Sequence, residues 1–167
     1  SVPIPPYLQR EAQPSDVAAY NNVYAAQGGS VAAPTAGLHF TEALMKQIGP
    51  DNTSFLSLHV GAGTFKPVVA ANALDHKMHA ETFGIKVMEI ERIIEALESG
   101  KRIIVVGTTG SRTLESLYWC GVKAILGITP MDGEGYSLGQ KEWMQYVDKA
   151  AHISTTDALK AVIGKKS

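Results

Sequence analysis

Two imidazoles and two carboxylates fall within seven residues of this chain, Asp75-His76-Lys77-Met78-His79-Ala80-Glu81. Histidine is the side chain that titrates near neutrality, so the cluster suits proton transfer or contact with a polar substrate. The same donors can hold zinc. The spacing H-x-x-H-x-E is not the helical H-E-x-x-H arrangement, however, and no cysteine pair supports a metal. A solvated turn with one packed histidine is the third reading, and all three stay open on these residues.

Upstream, His59-Val60-Gly61-Ala62-Gly63-Thr64 presents two glycines and a hydroxyl after an alternating run. A dinucleotide fingerprint needs a third glycine where Lys66 stands and a helix where Pro67 stands, and a Walker loop needs Gly-Lys-Ser/Thr. Both phosphate-loop readings fail. The glycines then serve a close approach of ligand to backbone, or a bulge. A third stretch, Gly107-Thr108-Thr109-Gly110-Ser111-Arg112, lies between an apolar run and a helical pattern. Amides at a helix N-terminus, two threonine hydroxyls and a guanidinium favour a carboxylate or phosphate. The competing reading is a capped helix in which Arg112 pairs with Glu115. Pro34-Thr35-Ala36-Gly37-Leu38-His39 is a turn with one histidine and little specificity of its own.

The elements that position these loops follow from periodicity. Pro14-Ser15 offers the start of a helix to about Ala26, stopped by Gly28-Gly29, and Ser30 to Ala33 reads as a short strand. Thr41 caps a helix to Ile48, which Gly49-Pro50 ends. Thr53 to Val60 and Glu81 to Ile85 read as strands. Val87, Ile90, Ile94 and Leu97 form the stripe of an amphipathic helix ended by Gly100, expected to cover a sheet. The apolar run Arg102 to Val106 has the composition of a strand buried on both faces. A helix from about Ser111 to Cys120, a strand from Val122 to Ile128, a turn-rich stretch from Pro130 to Gly139 and a helix from the Ser154/Asp157 capping box to Ile163 complete the chain. Alternating helices and apolar strands predict a single layered α/β/α domain over residues 1–167 with a largely parallel sheet. Ligands of such sheets bind beyond the carboxyl ends of strands, where the loops at 34–39, 59–64 and 107–112 fall.

The 167 residues are 45% apolar and 19% charged, an ordinary globular composition. A formal net charge of -1 gives no whole-chain signal for nucleic acid. The lone Cys120 excludes an internal disulfide and fits a reducing compartment, so a cytoplasmic location is expected. No apolar run approaches the roughly 20 residues that span a bilayer, so no membrane partner is expected. The chain lacks an initiator Met and opens inside a proline-rich segment, Ser1-Val2-Pro3-Ile4-Pro5-Pro6, as an excised part of a longer protein would.

Taken together, "SVAAPTAGLHFT", "LHVGAGTFKPV", "HKMHAE" and "GTTGSRTLES", in this order, resemble the S-adenosylmethionine:tRNA ribosyltransferase-isomerase family of queuosine biosynthesis. The opening Val2-Pro3-Ile4-Pro5-Pro6-Tyr7-Leu8-Gln9-Arg10 is similar too, and the resemblance runs from Val2 to about Val122. Gly110 departs from the serine or threonine usual in the family. Members are longer, with a small β-barrel domain and an Asn-Phe-His-Leu-Pro-like motif, both missing from this stretch.

The resemblance implies the central part of a two-domain enzyme that uses S-adenosylmethionine as a ribosyl donor, not as a cofactor. The acceptor would be 7-aminomethyl-7-deazaguanine at the wobble position of tRNA and the product epoxyqueuosine, with adenine and methionine released. Its motifs imply His39, His59, His79 and Glu81 as catalytic groups. They imply Pro34, Thr35, Gly37, Gly61, Gly63, Thr64, Thr108, Thr109, Arg112 and Glu115 as substrate-binding residues. No metal is needed for these steps, and a monomer is expected. A ligand- or RNA-binding fragment without turnover, and a metal hydrolase built on His76, His79 and Glu81, are the alternatives.

Overall fold

The computed structural model describes residues 9–19, 35–59, 72, 75, 80–128 and 136–164. They form a mixed α/β chain that divides into two compact units. The first takes the described residues up to Thr53 and from Ser57 to Phe83. The second takes Ser54–Leu56 and the described residues from Gly84 onward.

In the first unit, helix α1 (Pro14–Ala19) opens on a proline, whose missing N–H is one the first turn leaves unbonded anyway. Asp16, not Ser15, organises this start. It accepts the Gln13 amide at 2.7 Å and both Arg10 guanidinium nitrogens at 2.6 and 2.8 Å. A 3-10 turn spans Thr35–His39. Helix α2 (Glu42–Ile48) begins where its sequence signal lies: the Thr41 hydroxyl accepts the Leu44 amide at 3.2 Å, and Gly49 ends the helix. Such a cap contributes about 1 kcal/mol. A second 3-10 turn, Pro50–Asn52, leads to strand β1 (Ser57–His59). This strand pairs with β2 (Thr82–Gly84) in a two-stranded sheet. Both strands are shorter than their alternating runs, because pairing extends only as far as a partner does.

The second unit is helical. Helix α3 (Val87–Glu98) turns Ile90 and Ile94 inward and leaves Val87 exposed. It packs on α6 (Thr155–Val162), not on a sheet, and Lys160 Nζ reaches Glu98 Oε1 at 2.7 Å. Ser154 caps α6 by accepting the Asp157 amide at 3.1 Å and donating its hydroxyl to the Asp157 carboxylate at 2.6 Å.

Two strand expectations fail here. The run Arg102 to Val106 is not an interior strand: it carries no strand assignment, and Ile104 is 81% exposed. An apolar run states what a strand could bury but supplies no strand to pair with, and among the described residues no strand pairs with this one. Val122 to Ile128 is not a strand either. Helix α4 runs from Gly107 to Ile125, straight through Gly121. That glycine is a packing residue, since a methyl group there would overlap the Ala158 carbonyl. Its absence lets α4 and α6 approach backbone to backbone, with Val122, Leu117, Cys120, Ala158 and Leu159 all buried. Burying a side chain such as Val122 or Leu117 stabilises by about 1.5–3 kcal/mol. The layered, largely parallel sheet is therefore not found among the described residues.

The core continues through Trp119, Val122, Tyr146 and Ala150, the last two from the 3-10 turn Glu142–Tyr146 and helix α5 (Val147–Ala150). Trp119 meets Tyr118 edge-on at 5.1 Å and Trp143 at 5.7 Å. No helix among the described residues is long and apolar enough to cross a membrane.

Candidate functional site

Of the ten candidate residues from the first three motifs, five lie in turns and at strand ends of the first unit and five lie outside the described residues. Thr35, Gly37 and His39 share the 3-10 turn after residue 34, with Gly37 buried and both Thr35 and His39 exposed. His59 is the exposed last residue of β1, and half-buried Glu81 immediately precedes β2. Because β1 and β2 are hydrogen-bonded neighbours, one small ribbon carries both the His59 and the Glu81 positions. Pro34, Gly61, Gly63, Thr64 and His79 lie outside the described residues, as does His76. Among the described residues no three His, Cys, Asp or Glu side chains gather closely enough to hold a metal.

Thr108, Thr109, Arg112 and Glu115 all belong to the first nine residues of α4 in the second unit. The helix starts at Gly107 in a left-handed conformation, φ 80°, which glycine adopts without strain. Val106 at the cap position gives no side-chain acceptor, so no cap side chain competes for the first-turn amides. Some nearby hydroxyls are already committed. Ser111 donates to the Gly107 carbonyl at 3.3 Å, and Thr113, fully buried, donates to that of Thr109 at 2.9 Å. Thr108 and Arg112 are exposed and Thr109 half-buried. At Gly110 an added Cβ would lie 2.8 Å from the Val105 side chain, so the missing hydroxyl at this position coincides with a close approach of residue 105.

Glu115 is held from the core side, where its Oε1 accepts the Trp119 indole N–H at 3.1 Å. It lines an open groove of about 420 Å³ together with Val105, Ser111, Leu114, Tyr118 and Thr155. The Tyr118 hydroxyl donates to the Ile153 carbonyl at 3.3 Å and so pins one wall.

A further polar cluster among the described residues lies elsewhere, and the motifs do not signal it. Lys123, buried on α4, donates to Glu142 Oε1 at 2.5 Å and to the Ser137 carbonyl at 2.6 Å. Glu142 also accepts the Gly139 amide at 2.6 Å and the Tyr146 hydroxyl at 2.9 Å. Burial pushes the Glu142 carboxyl up, but the Gly139 amide, Lys123 and Tyr146 outweigh it and hold it below its ordinary range. Burial and the neighbouring Glu142 carboxylate raise the Tyr146 phenol. Burial also pushes the Cys120 thiol up to about 11, against the pull of Lys123, so it is a packed thiol and a poor nucleophile. The only sequence trace of this cluster is a lysine placed at helical spacing among apolar core positions.

The sequence profile of the family described as "Queuosine biosynthesis protein" matches residues 1–156. Proteins named S-adenosylmethionine:tRNA ribosyltransferase-isomerase are similar to the chain. That of Halothermothrix orenii is 51% identical over 117 residues, which cover 69% of this chain and 34% of the relative. That of Francisella tularensis subsp. novicida is 48% identical over 118 residues, 69% and 35%. That of Francisella philomiragia is 44% identical over 135 residues, 80% and 38%. The chain thus spans little more than a third of the curated relatives it matches. No solved structure gives a significant match. On the match over residues 1–156, this chain belongs to the queuosine biosynthesis protein family.

Proposed function

We propose that this chain carries part of the machinery of an S-adenosylmethionine:tRNA ribosyltransferase-isomerase. The observation that carries the reading is the family match over residues 1–156, joined by relatives of that name at 51% and 48% identity. In the proposed reaction the ribosyl group of S-adenosylmethionine passes to the aminomethyl group of 7-aminomethyl-7-deazaguanine in tRNA and isomerises to give epoxyqueuosine. The sulfonium acidifies the adjacent ribose 5′ carbon, so a positioned base removes a proton there. Protonation helps adenine to leave, and the acceptor amine attacks as the neutral base.

His39, His59, His79 and Glu81 are the groups proposed for these proton transfers, a histidine being the base because its ordinary pKa lies near neutrality. Pro34, Thr35, Gly37, Gly61, Gly63 and Thr64 are proposed to wall the substrate pocket. Thr108, Thr109, Arg112 and Glu115 are proposed to hold the donor. The uncapped first turn of α4 supports an anion there, in the form of the donor's methionyl carboxylate.

The test is a chimera in which this chain replaces the matching segment of a full-length relative, assayed for release of adenine and methionine with tRNA as acceptor. Turnover is expected, and a chimera that folds and binds donor but never transfers ribosyl overturns the proposal. Within it, His79→Ala should lower kcat far more than it weakens donor binding. Equal losses would make His79 a binding residue.

A further inference from the structure

We infer that the groove beside α4 is a binding site for the positive charge of a small organic ligand, with Glu115 as its counter-ion. The inference deepens the proposed function and rests on it for the identity of the ligands. The groove's volume, about 420 Å³, lies within the range of small-ligand sites, roughly 300–1,000 Å³. Its lining is two aliphatic side chains, Val105 and Leu114, the Tyr118 ring, two hydroxyls and a single carboxylate, with no cation among the lining residues. That composition suits a charge carried on an apolar or aromatic body: the carboxylate attracts it, and a tyrosine face receives a cation as well.

The carboxylate is also pre-positioned. Its Oε1 accepts the Trp119 indole N–H at 3.1 Å, and Trp119 itself is buried in the core, so the side chain is anchored from behind. A carboxylate offers about four lone-pair sites, and the indole takes one. The opposite wall is set by the hydrogen bond from Tyr118 to the Ile153 carbonyl and by Thr155 at the start of the capped helix α6. A carboxylate and a tyrosine already held by hydrogen bonds lose less freedom on binding than unanchored side chains would.

Besides the α-ammonium that S-adenosylmethionine and S-adenosylhomocysteine share, the proposed reaction offers two such cations, the donor sulfonium and the acceptor aminomethyl group, and the site is assigned to one of these two. Calorimetric titration of the 167-residue chain with four probes separates them. S-adenosylmethionine and S-adenosylhomocysteine differ in the sulfonium charge; 7-aminomethyl-7-deazaguanine and 7-cyano-7-deazaguanine differ in the amine. At least one probe should bind tenfold or more tightly than the counterpart that lacks its sulfonium or amine charge, and the pair that shows the preference identifies the source. Glu115→Gln should abolish the preference. The amide keeps an oxygen for the Trp119 N–H, so the fold is retained, and circular dichroism checks this. Thr155→Lys, which adds a positive charge to an exposed wall position, should weaken the same probe, and Glu95→Gln on exposed α3 surface should change nothing. Absence of binding, absence of preference, or a preference that survives both Glu115→Gln and Thr155→Lys overturns the site. Failure here is separable from failure of the proposed function. A chimera that turns over with unchanged donor and acceptor KM after Glu115→Gln overturns the groove and the donor-holding role of Glu115 and leaves the proposed reaction standing. A chain that keeps the cation preference inside an inactive chimera overturns the reaction alone.

Discussion

Lys123 is a charged side chain taken almost wholly out of water, and two oxygens compensate it. The Ser137 carbonyl and the Glu142 carboxylate tie α4 to the segment before α5, so the pair closes a loop on the core. Lys123→Met removes the cation but leaves Glu142 half-buried against Gly139 and Tyr146. Urea unfolding should show a loss of roughly 2–4 kcal/mol, the scale of a broken buried pair reduced by Glu142's partial exposure. The pH dependence has a definite sign. Because Glu142 is held below its ordinary value of 4.5, its contribution is fully present above that value and is lost as pH falls through the lower folded value. Asp16, lowered to about 2 by the Arg10 hydrogen bonds and the Gln13 amide, acts in the same direction at still lower pH. Stability should therefore fall on acidification below about pH 4.5. In Glu142→Gln the part of the loss nearest pH 4.5 should vanish while the more acidic part remains. Sequence patterning marks Thr41 and the Ser154/Asp157 pair, whose partners lie three residues away, but neither Lys123 nor Glu142. Lys123 and Glu142 are 19 residues apart, and only tertiary packing joins them.

The elements divide along the same line. Helices α2, α3 and α6 lie within a residue or two of where caps and periodicity put them, because those signals are local. Strands are non-local, and the two that fail, 102–106 and 122–128, fail for want of a partner and because α4 continues through Gly121. Gly121 looks like a helix end in sequence but permits a close crossing. Gly121→Ala gains up to about 1 kcal/mol in helix propensity, yet its methyl group meets Ala158 backbone, which cannot swing aside as a side chain would. The net effect should be destabilising by about 1–3 kcal/mol, the usual range for overpacking, and a thermal melt reads it directly. A raised melting temperature would contradict the crossing. The run at 102–106 has its own test. At 81% exposure Ile104 should tolerate lysine within about 0.5 kcal/mol, as surface positions do. An interior strand would lose several kcal/mol to a buried, unpaired charge.

At the scale of the whole molecule, charge governs the expectations. Fifteen Lys and Arg against sixteen Asp and Glu leave no overall field to draw in RNA, so any phosphate contact must come from individual cations. Arg112 is the one whose assignment matters most, since a donor carboxylate and a tRNA phosphate both suit a guanidinium at a helix N-terminus. Its place on α4 favours the donor. Arg112 and Glu115 are three residues apart, so they lie on neighbouring positions of one helix face with a rise of about 4.5 Å between them. Opposite charges at that spacing match a ligand whose carboxylate and sulfonium are joined by a short carbon chain, as in S-adenosylmethionine. A phosphate backbone offers nothing for Glu115 to attract. In the chimera, Arg112→Ala should weaken donor binding by about 1.5–3 kcal/mol, the scale of a hydrogen bond to a charged group. The slope of log K against log salt for tRNA should stay as it was. A slope reduced by about 0.7–0.9, one phosphate's worth of released counterions, with donor affinity intact, would assign Arg112 to the RNA instead.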